Sequence, residues 1–186
     1  NPWNSSNEVG TVVFTDADFT AAFSSAATVA SIDAAEGVLG PGKYYAELVP
    51  TFDFFEGGAS TVQLGVSRDN PGSSATGGAI DLSGDVFVNG SLITNLGAIS
   101  SGDVIMLAVE AFDGYMYFGK NGTWLGGANP VTGDNAVGLE NVAETYYLSF
   151  FADNIEATYS CSIRTGTDRF SYTVPVGFTA WNIQGA

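Results

Sequence analysis

Residues 102–124, GDVIMLAVEAFDGYMYFGKNGTW, decide how the rest of the chain is interpreted. Residues 104–109 are apolar on both faces, which predicts a strand that is covered on both sides. Two turn pairs follow, Asp113-Gly114 and Asn121-Gly122. Such pairs favour type I′ hairpin turns, because both residues tolerate a positive φ. The stretch therefore predicts a three-strand meander inside a β-sandwich.

Composition bounds the fold class and the partners. The 186 residues are 45% hydrophobic, and their 24 glycines fall mostly between apolar runs, as expected of turns in an all-β protein. The net charge of −15 repels phosphate backbones and anionic bilayers, so we expect neither nucleic-acid binding nor insertion into a membrane. An acidic surface of this size is typical of a soluble protein in an extracellular setting.

Two residue types limit the chemistry. The chain has no histidine and one cysteine, Cys161, so Ser-His-Asp and Cys-His catalysis, histidine or cysteine metal sites and an internal disulfide are all excluded. Cys161 lies in a strand-like run, where we expect a small buried side chain. We predict no catalytic residue, no cofactor and no metal site.

Further apolar runs predict short strands at the spacing typical of a β-sandwich. They are residues 11–14, 43–49, 62–66, 85–93, 146–151 and 157–163, and the Ala/Ser-rich residues 19–35 are interpreted as extended. Residues 69–78 and 126–144 are predicted to be loops, because they are rich in Gly, Pro, Asn and Asp. We expect an N-terminal arm or linker end at residues 1–10 and a single domain over residues 11–186.

Four blocks resemble the SPRY (B30.2/SPRY-like) domain, in that family's order. They are Gly42-Lys-Tyr-Tyr-Ala-Glu47, Val62-Gln-Leu-Gly-Val-Ser67, Gly102-Asp-Val-Ile105 with Tyr117-Phe-Gly-Lys-Asn-Gly122, and Tyr146 to Phe150 with Phe170-Ser-Tyr172 and Pro175-Val-Gly-Phe178. The resemblance covers about residues 14–181. It implies a two-sheet antiparallel, concanavalin A-like β-sandwich that is a non-enzymatic binding module, with its specificity in the loops at one end.

The resemblance also points to a setting. SPRY-like copies occur in fibre and appendage proteins of bacterial viruses, and the Gly/Ser/Ala/Asn-rich composition here is similar to theirs. We therefore expect a structural or adhesion module of a bacteriophage virion surface (tail fibre, head fibre or capsid decoration). Its partner would be a protein, a cell-surface glycan or another virion subunit, and self-association into a homo-oligomer stays open. We expect binding through residues 69–78, 126–144 and 153–156, with Arg68, Asp69, Asn70, Asp153 and Asn154 as candidate contacts.

Other functions remain open. A lectin-like module could use calcium, since Asp and Asn oxygens suit this ion; the candidate ligands are Asp16, Asp18, Asp69, Asn70, Asp153 and Asn154. A glycoside hydrolase needs two carboxylates, for which the chain offers Glu110 and Asp113. An intracellular peptide-binding adaptor is the third alternative. Aromatic side chains offer a stacking platform for any of these ligands, namely Tyr44, Tyr45, Phe52, Phe54 and Phe55.

Overall fold

The computed structural model describes residues 12–15, 20–23, 29–33, 42–52, 61–68, 77–139, 145–153 and 158–181. Within these ranges the chain forms fifteen strands and one turn of 3-10 helix at Leu125–Gly127. The strands are β1 (Val12–Thr15), β2 (Thr20–Phe23), β3 (Val29–Asp33), β4 (Lys43–Phe52), β5 (Thr61–Ser67), β6 (Gly77–Asp81), β7 (Asp85–Val88), β8 (Ser91–Asn95), β9 (Ile105–Glu110), β10 (Tyr115–Lys120), β11 (Thr123–Trp124), β12 (Val137–Gly138), β13 (Tyr147–Asp153), β14 (Tyr159–Arg164) and β15 (Thr179–Ala180).

The described strands form two sheets. The nine-stranded sheet has the order β1-β2-β14-β4-β9-β10-β11, with β12 paired to β10 and β15 paired to β4. The six-stranded sheet has the order β3-β13-β5-β6-β7-β8. Every pairing is antiparallel except β15 with β4, which is parallel. The predicted fold class, a two-sheet antiparallel β-sandwich, is confirmed.

The core between the sheets is built by strict alternation. Along β4, Ala46 and Leu48 face inward, whereas Tyr45 and Glu47 face away from the core. Leu64 on β5 and Phe150 on β13 meet them from the six-stranded sheet, and all are fully buried. Cys161 is also fully buried in this core, as predicted. Burial raises the pKa of its thiol far above the ordinary value.

A second hydrophobic cluster covers the outer face of the nine-stranded sheet. Tyr45, Met106 and Tyr117 are buried there with Phe178, and Phe170 and Tyr172 pack against them. The last two belong to residues 165–178, which we call the C-terminal strap. Because both faces of the sheet are covered, all six residues of β9 are buried, as the double-sided apolar run predicted.

A buried carboxylate attaches the strap to the sheet. Glu47 is completely inaccessible to solvent. Its two oxygens accept hydrogen bonds from the backbone amides of Ser171 and Tyr172, both at 2.8 Å. They also contact the Tyr45 hydroxyl at 3.0 Å and the Arg164 guanidinium at 3.3 Å. A charge without solvent is stable only with such a complete set of partners.

The meander is present, with one correction to its turns. Asn121-Gly122 has positive φ at both residues (50° and 86°) and joins Lys120 directly to Thr123, as a type I′ turn requires. The predicted type I′ turn at Asp113-Gly114 is wrong. Glu110 pairs with Tyr115 across a four-residue loop, in which only Gly114 has a positive φ. The longer loop needs one left-handed residue rather than two.

A second correction concerns Gly77 and Gly78, which we had placed in a loop. Both belong to β6. A side chain at Gly78 would displace the ends of the Met116 and Leu139 side chains, so glycine suits the point where the two sheets approach each other. Close packing, rather than a turn, explains this Gly-Gly pair.

The remaining predictions concern the aromatic residues of the proposed platform and the division of the chain into an arm and a domain. Of the aromatic residues considered for a stacking platform, Tyr45 is fully buried, and Tyr44 and Phe52 pack against the core. Phe54 and Phe55 lie outside the described residues. Residues 1–10 lie outside them too, so the division into an arm and a single domain stays a prediction.

Candidate functional site

One end of the sandwich brings the start of β4, the end of β5 and two hairpin loops together. The amide of Ala111 donates to Gly42 O at 3.1 Å, and the amide of Asn89 donates to Gly77 O at 2.9 Å. Gly78 of one sheet faces Met116 of the other at this end. We call this region the loop end; it comprises residues 42–43, 68, 77, 89–90 and 111–115.

Three outward-facing residues stand side by side at the loop end. Lys43 is paired in register with Glu110, and Glu110 with Tyr115. The Lys43 ammonium lies 2.9 Å from Glu110 Oε2. The Tyr117 hydroxyl donates to Glu110 Oε1 at 3.0 Å. Burial, and then the hydrogen bond to Glu110, raise the pKa of Tyr117 well above its usual value.

Two aromatic side chains project from this row into solvent. Phe112 is 56% exposed and Tyr115 is 45% exposed, although their neighbours Ala111 and Met116 are fully buried. The Lys43 ammonium contacts Glu110, between β4 and β10, and lies 5.5 Å from the centre of the Phe178 ring. Sequence reasoning did not single out these residues. The available signal was the position of Phe112 within the β9–β10 turn, where an aromatic side chain has no core to enter.

Arg68, a predicted contact residue, belongs to the loop end. It follows the last residue of β5, and its Nη2 donates to Asn89 Oδ1 at 3.0 Å in the β7–β8 turn. Asn89 has φ 47°, a left-handed conformation that asparagine tolerates better than most residues. The guanidinium is therefore held at the rim of the sandwich by a turn of defined geometry.

The strand register separates Asp153 from Arg68. Ser67 is opposite Tyr147, whereas Thr61 is opposite Asp153, at the other end of the same pair of strands. At about 3.3 Å per residue the two ends are roughly 20 Å apart. The structure therefore does not bring Asp153 to the loop end. Asp69, Asn70 and Asn154 lie outside the described residues, and their role stays a prediction.

A depression opens beside the strap. It has a volume of about 550 Å³, and its walls come from Gly166, Thr167 and Asp168 on one side and Phe178, Thr179 and Ala180 on the other. The Thr179 hydroxyl donates to Lys43 O at 3.2 Å, which links this depression to the loop end. An aromatic ring, a carboxylate and two hydroxyls thus line a shallow surface next to Lys43.

The two carboxylates of the hydrolase hypothesis have different surroundings. Glu110 is buried and both of its oxygens are held, by Lys43 and by Tyr117. Asp113 is exposed on the four-residue loop. An inverting or retaining glycosidase needs two carboxyl groups that both face the substrate. Glu110 instead has the contacts of a structural ion pair.

No metal centre is evident in the part of the chain that the structure describes. Within it, no three Asp, Glu, Cys or His side chains are grouped closely enough to hold an ion. Asp16, Asp18, Asp69, Asn70 and Asn154, proposed as calcium ligands, lie outside that part.

Among the described residues, no helix has the length and apolar character needed to cross a bilayer.

The chain is similar to known proteins in structure. No family model matches it, and no curated protein matches it. The SPRY domain of human HERC1 is 17% identical with a TM-score of 0.66, over 87% of this chain and 96% of that one. The TRIM65 PSpry domain is 12% identical with a TM-score of 0.60, over 89% of each chain.

A carbohydrate-binding protein has a similar fold. The carbohydrate recognition domain of Emp47p is 8% identical with a TM-score of 0.56, over 90% of each chain. At such identities the likeness shows the fold alone. The chain therefore has the SPRY-type, concanavalin A-like β-sandwich fold that its sequence predicted.

Proposed function

We propose that this chain is a non-enzymatic binding module that holds its partner at the loop end. The observation that carries the proposal is the exposure of Phe112 and Tyr115 at the end of the sandwich that also holds Lys43 and Arg68. Aromatic side chains and arginine are enriched at protein interfaces. The rigid sheets behind them fix their positions before a partner arrives.

The surrounding architecture supports this choice of surface. The outer face of the nine-stranded sheet is closed by the strap, so Tyr45, Tyr117 and Phe178 are occupied in packing. Phe112 and Tyr115 are large apolar side chains at the edge of that cover. SPRY domains and a carbohydrate recognition domain share the fold, which agrees with a binding role for the loops of such a sandwich.

The test compares two double variants in a screen against candidate surface proteins and host cells. Phe112→Ala/Tyr115→Ala removes the aromatic pair, and Val13→Ala/Val176→Ala removes exposed apolar side chains elsewhere. We expect the first variant to lose capture and the second to retain it. Capture that survives in the first variant, while both are folded, would overturn the loop end as the binding surface.

A glycan is the second candidate ligand, and the depression beside the strap favours it. Asp168 and Thr167 offer hydrogen-bonding groups there, beside the apolar edge of the packed Phe178 ring. A glycan array read with and without a chelator tests this function and its calcium dependence. Binding that Asp168→Asn abolishes supports it, and an array that stays blank in both conditions rejects it.

We further propose that the module belongs to a bacteriophage virion surface and works outside the cell. This step rests on the Gly/Ser/Ala/Asn-rich composition and on the net charge of −15. Labelling of purified virions with antibodies against the chain tests it. We expect regular surface labelling; antibodies that label a cell fraction and never a virion would contradict it.

A further inference from the structure

A second surface lies at the open side of the sandwich, where the six-stranded sheet ends. In the described part of the chain β8 is the last strand of that sheet, paired on one side only, to β7. All five of its residues are exposed, including Leu92 at 59% and Ile93 at 55%. The strand contains no charged residue and no proline, which are two of the usual protections of an edge strand.

A bulge turns β8 toward a groove. Phe87 pairs with Leu92 and Val86 with Thr94, which leaves Ile93 without a partner in the ladder. Ile93 and Thr94 form one wall of a groove of about 320 Å³, and Leu125 and Val137 belong to the opposite wall. The buried core residue Phe118 also lines the groove. Among the described residues, an added strand would therefore meet the unpaired edge of β8 and an apolar channel beside it.

The charges near this surface decide what kind of segment fits. Asp85 lies across the β7–β8 ladder from Asn95, and Asp134 is next to Asn135, which lines the groove. The ion pairs Lys43–Glu110 and Arg164–Glu47 lie elsewhere. Lys120 donates to Ala98 O on the segment that follows β8. The flanking carboxylates thus have no cationic partner among the described residues.

We propose that β8 and its groove bind an extended, basic segment of another protein, which adds to the six-stranded sheet as a further strand. Main-chain hydrogen bonds along β8 would hold it, and its alternate apolar side chains would enter the groove beside Ile93. A second copy of this chain fits less well, because each copy carries a net charge of −15. This surface is separate from the loop end, so either proposal can fail alone.

The experiment uses a labelled synthetic peptide of about ten residues that alternates Lys with Val or Ile, a length typical of longer strands. Its comparator is the same peptide N-methylated along one edge, which keeps charge and side chains but removes the ladder hydrogen bonds. Fluorescence anisotropy measures both peptides against the whole chain. We expect the unmethylated peptide to bind and the methylated one to bind at least about tenfold more weakly, equal to 1.4 kcal/mol.

Two matched variants distinguish direct contact with β8 from attraction of the basic peptide by the net charge of the chain. Ile93→Lys and Val176→Lys add the same charge at exposed positions, one on β8 and one on the strap. We expect Ile93→Lys to weaken binding by more than about tenfold, because like charges meet at the contact, and Val176→Lys to change it little. Ile93→Thr keeps the strand propensity and tests the apolar contact if the lysine variant misfolds.

Three results would overturn the proposal. The first is equal binding of the two peptides, or equal weakening by both lysine variants, which means attraction by net charge alone. The second is a dimer that Ile93→Lys dissociates, which assigns β8 to a second copy. The third is the absence of peptide binding to the unmodified chain.

Discussion

The outer face of the nine-stranded sheet and the loop end contain the same kinds of residue, but the aromatic residues are buried on the outer face and exposed at the loop end. On the outer face Tyr45 and Tyr117 are completely buried, and Glu47 is enclosed by four partners. At the loop end Phe112 and Tyr115 are exposed, and Glu110 has a partner in Lys43 that is itself 42% exposed. Aromatic and acidic residues therefore stabilise the fold where they are covered. They are available to a partner only where the cover ends.

The largest effect should come from Glu47. Glu47→Gln introduces an amide N–H₂ where two backbone amides already donate, and it removes the charge that Arg164 meets. We expect a loss of roughly 3 kcal/mol in the free energy of unfolding, measured in urea. Trypsin should also cleave the strap faster after Arg169. The same change at Glu110 should cost less, about 1–2 kcal/mol, because the glutamine oxygen can still accept from Tyr117 and the Lys43 partner is partly exposed.

Equal losses for the two glutamine variants would contradict the comparison. Such a result would mean that Glu47 does not stabilise the attachment of the strap, or that the contacts of Glu110 stabilise the fold as much as those of Glu47.

The next effect concerns the packing under the loop end. Gly78→Ala places a methyl group against Met116 and Leu139, which we expect to cost roughly 1–3 kcal/mol in unfolding free energy. Gly138→Ala is the matched control, since nothing lies within 4 Å of a side chain added there. Thermal unfolding of both variants checks this expectation. A Gly78 variant as stable as the Gly138 variant would show that the sheets do not meet closely at that point.

The sequence predicts some of these regions better than others. The meander could be predicted because Asn121-Gly122 and the apolar run of β9 are local signals. Tyr45 and Glu47 share a face because alternate residues of a strand point to the same side. Their partners could not be predicted, because Arg164, Ser171 and Tyr172 lie more than 100 residues away and reach Glu47 only through the sheet order.

The candidate contacts show the same limit. Arg68 and Asp153 both follow apolar runs, so they look equivalent in the sequence. The register of β5 with β13 places them at opposite ends of the sandwich, and register between strands so distant in sequence leaves no local signature. Phe112 is the reverse case: its exposure depends on the four-residue loop, whereas the Asp113-Gly114 pair suggested a shorter turn.

A smaller effect is expected at alkaline pH. Burial, and then the nearby Glu47 carboxylate, raise the pKa of Tyr45 above its ordinary value of 10.0, and burial does the same for Tyr117. In the unfolded chain these hydroxyls lose their protons near pH 10, while in the folded chain they stay protonated. The folded state therefore binds more protons, and its stability must fall as the pH rises above 10.

Urea midpoints between pH 7 and pH 11 measure this alkaline loss. The double variant Tyr45→Phe/Tyr117→Phe should start less stable at pH 7 and lose less on the way to pH 11. If the double variant and the unmodified chain lose the same stability between pH 7 and pH 11, these two tyrosines do not account for the loss.

The smallest effect on stability, and the largest on function, is expected at the loop end. Removal of Phe112 and Tyr115 side chains at exposed positions should change the free energy of unfolding by no more than about 0.5 kcal/mol. Urea unfolding of the double alanine variant checks this. A loss comparable to that of Glu47→Gln would place the two side chains in the core rather than at a binding surface.

One measurement tests the central claim most directly: partner capture by the unmodified chain, by Phe112→Ala/Tyr115→Ala and by Glu47→Gln at a temperature where all three are folded. If the loop end binds and the strap only stabilises, the aromatic variant loses capture while Glu47→Gln retains it. The reverse pattern, with capture kept by the aromatic variant and lost on disturbing the strap, would place the binding surface on the covered face and contradict the account.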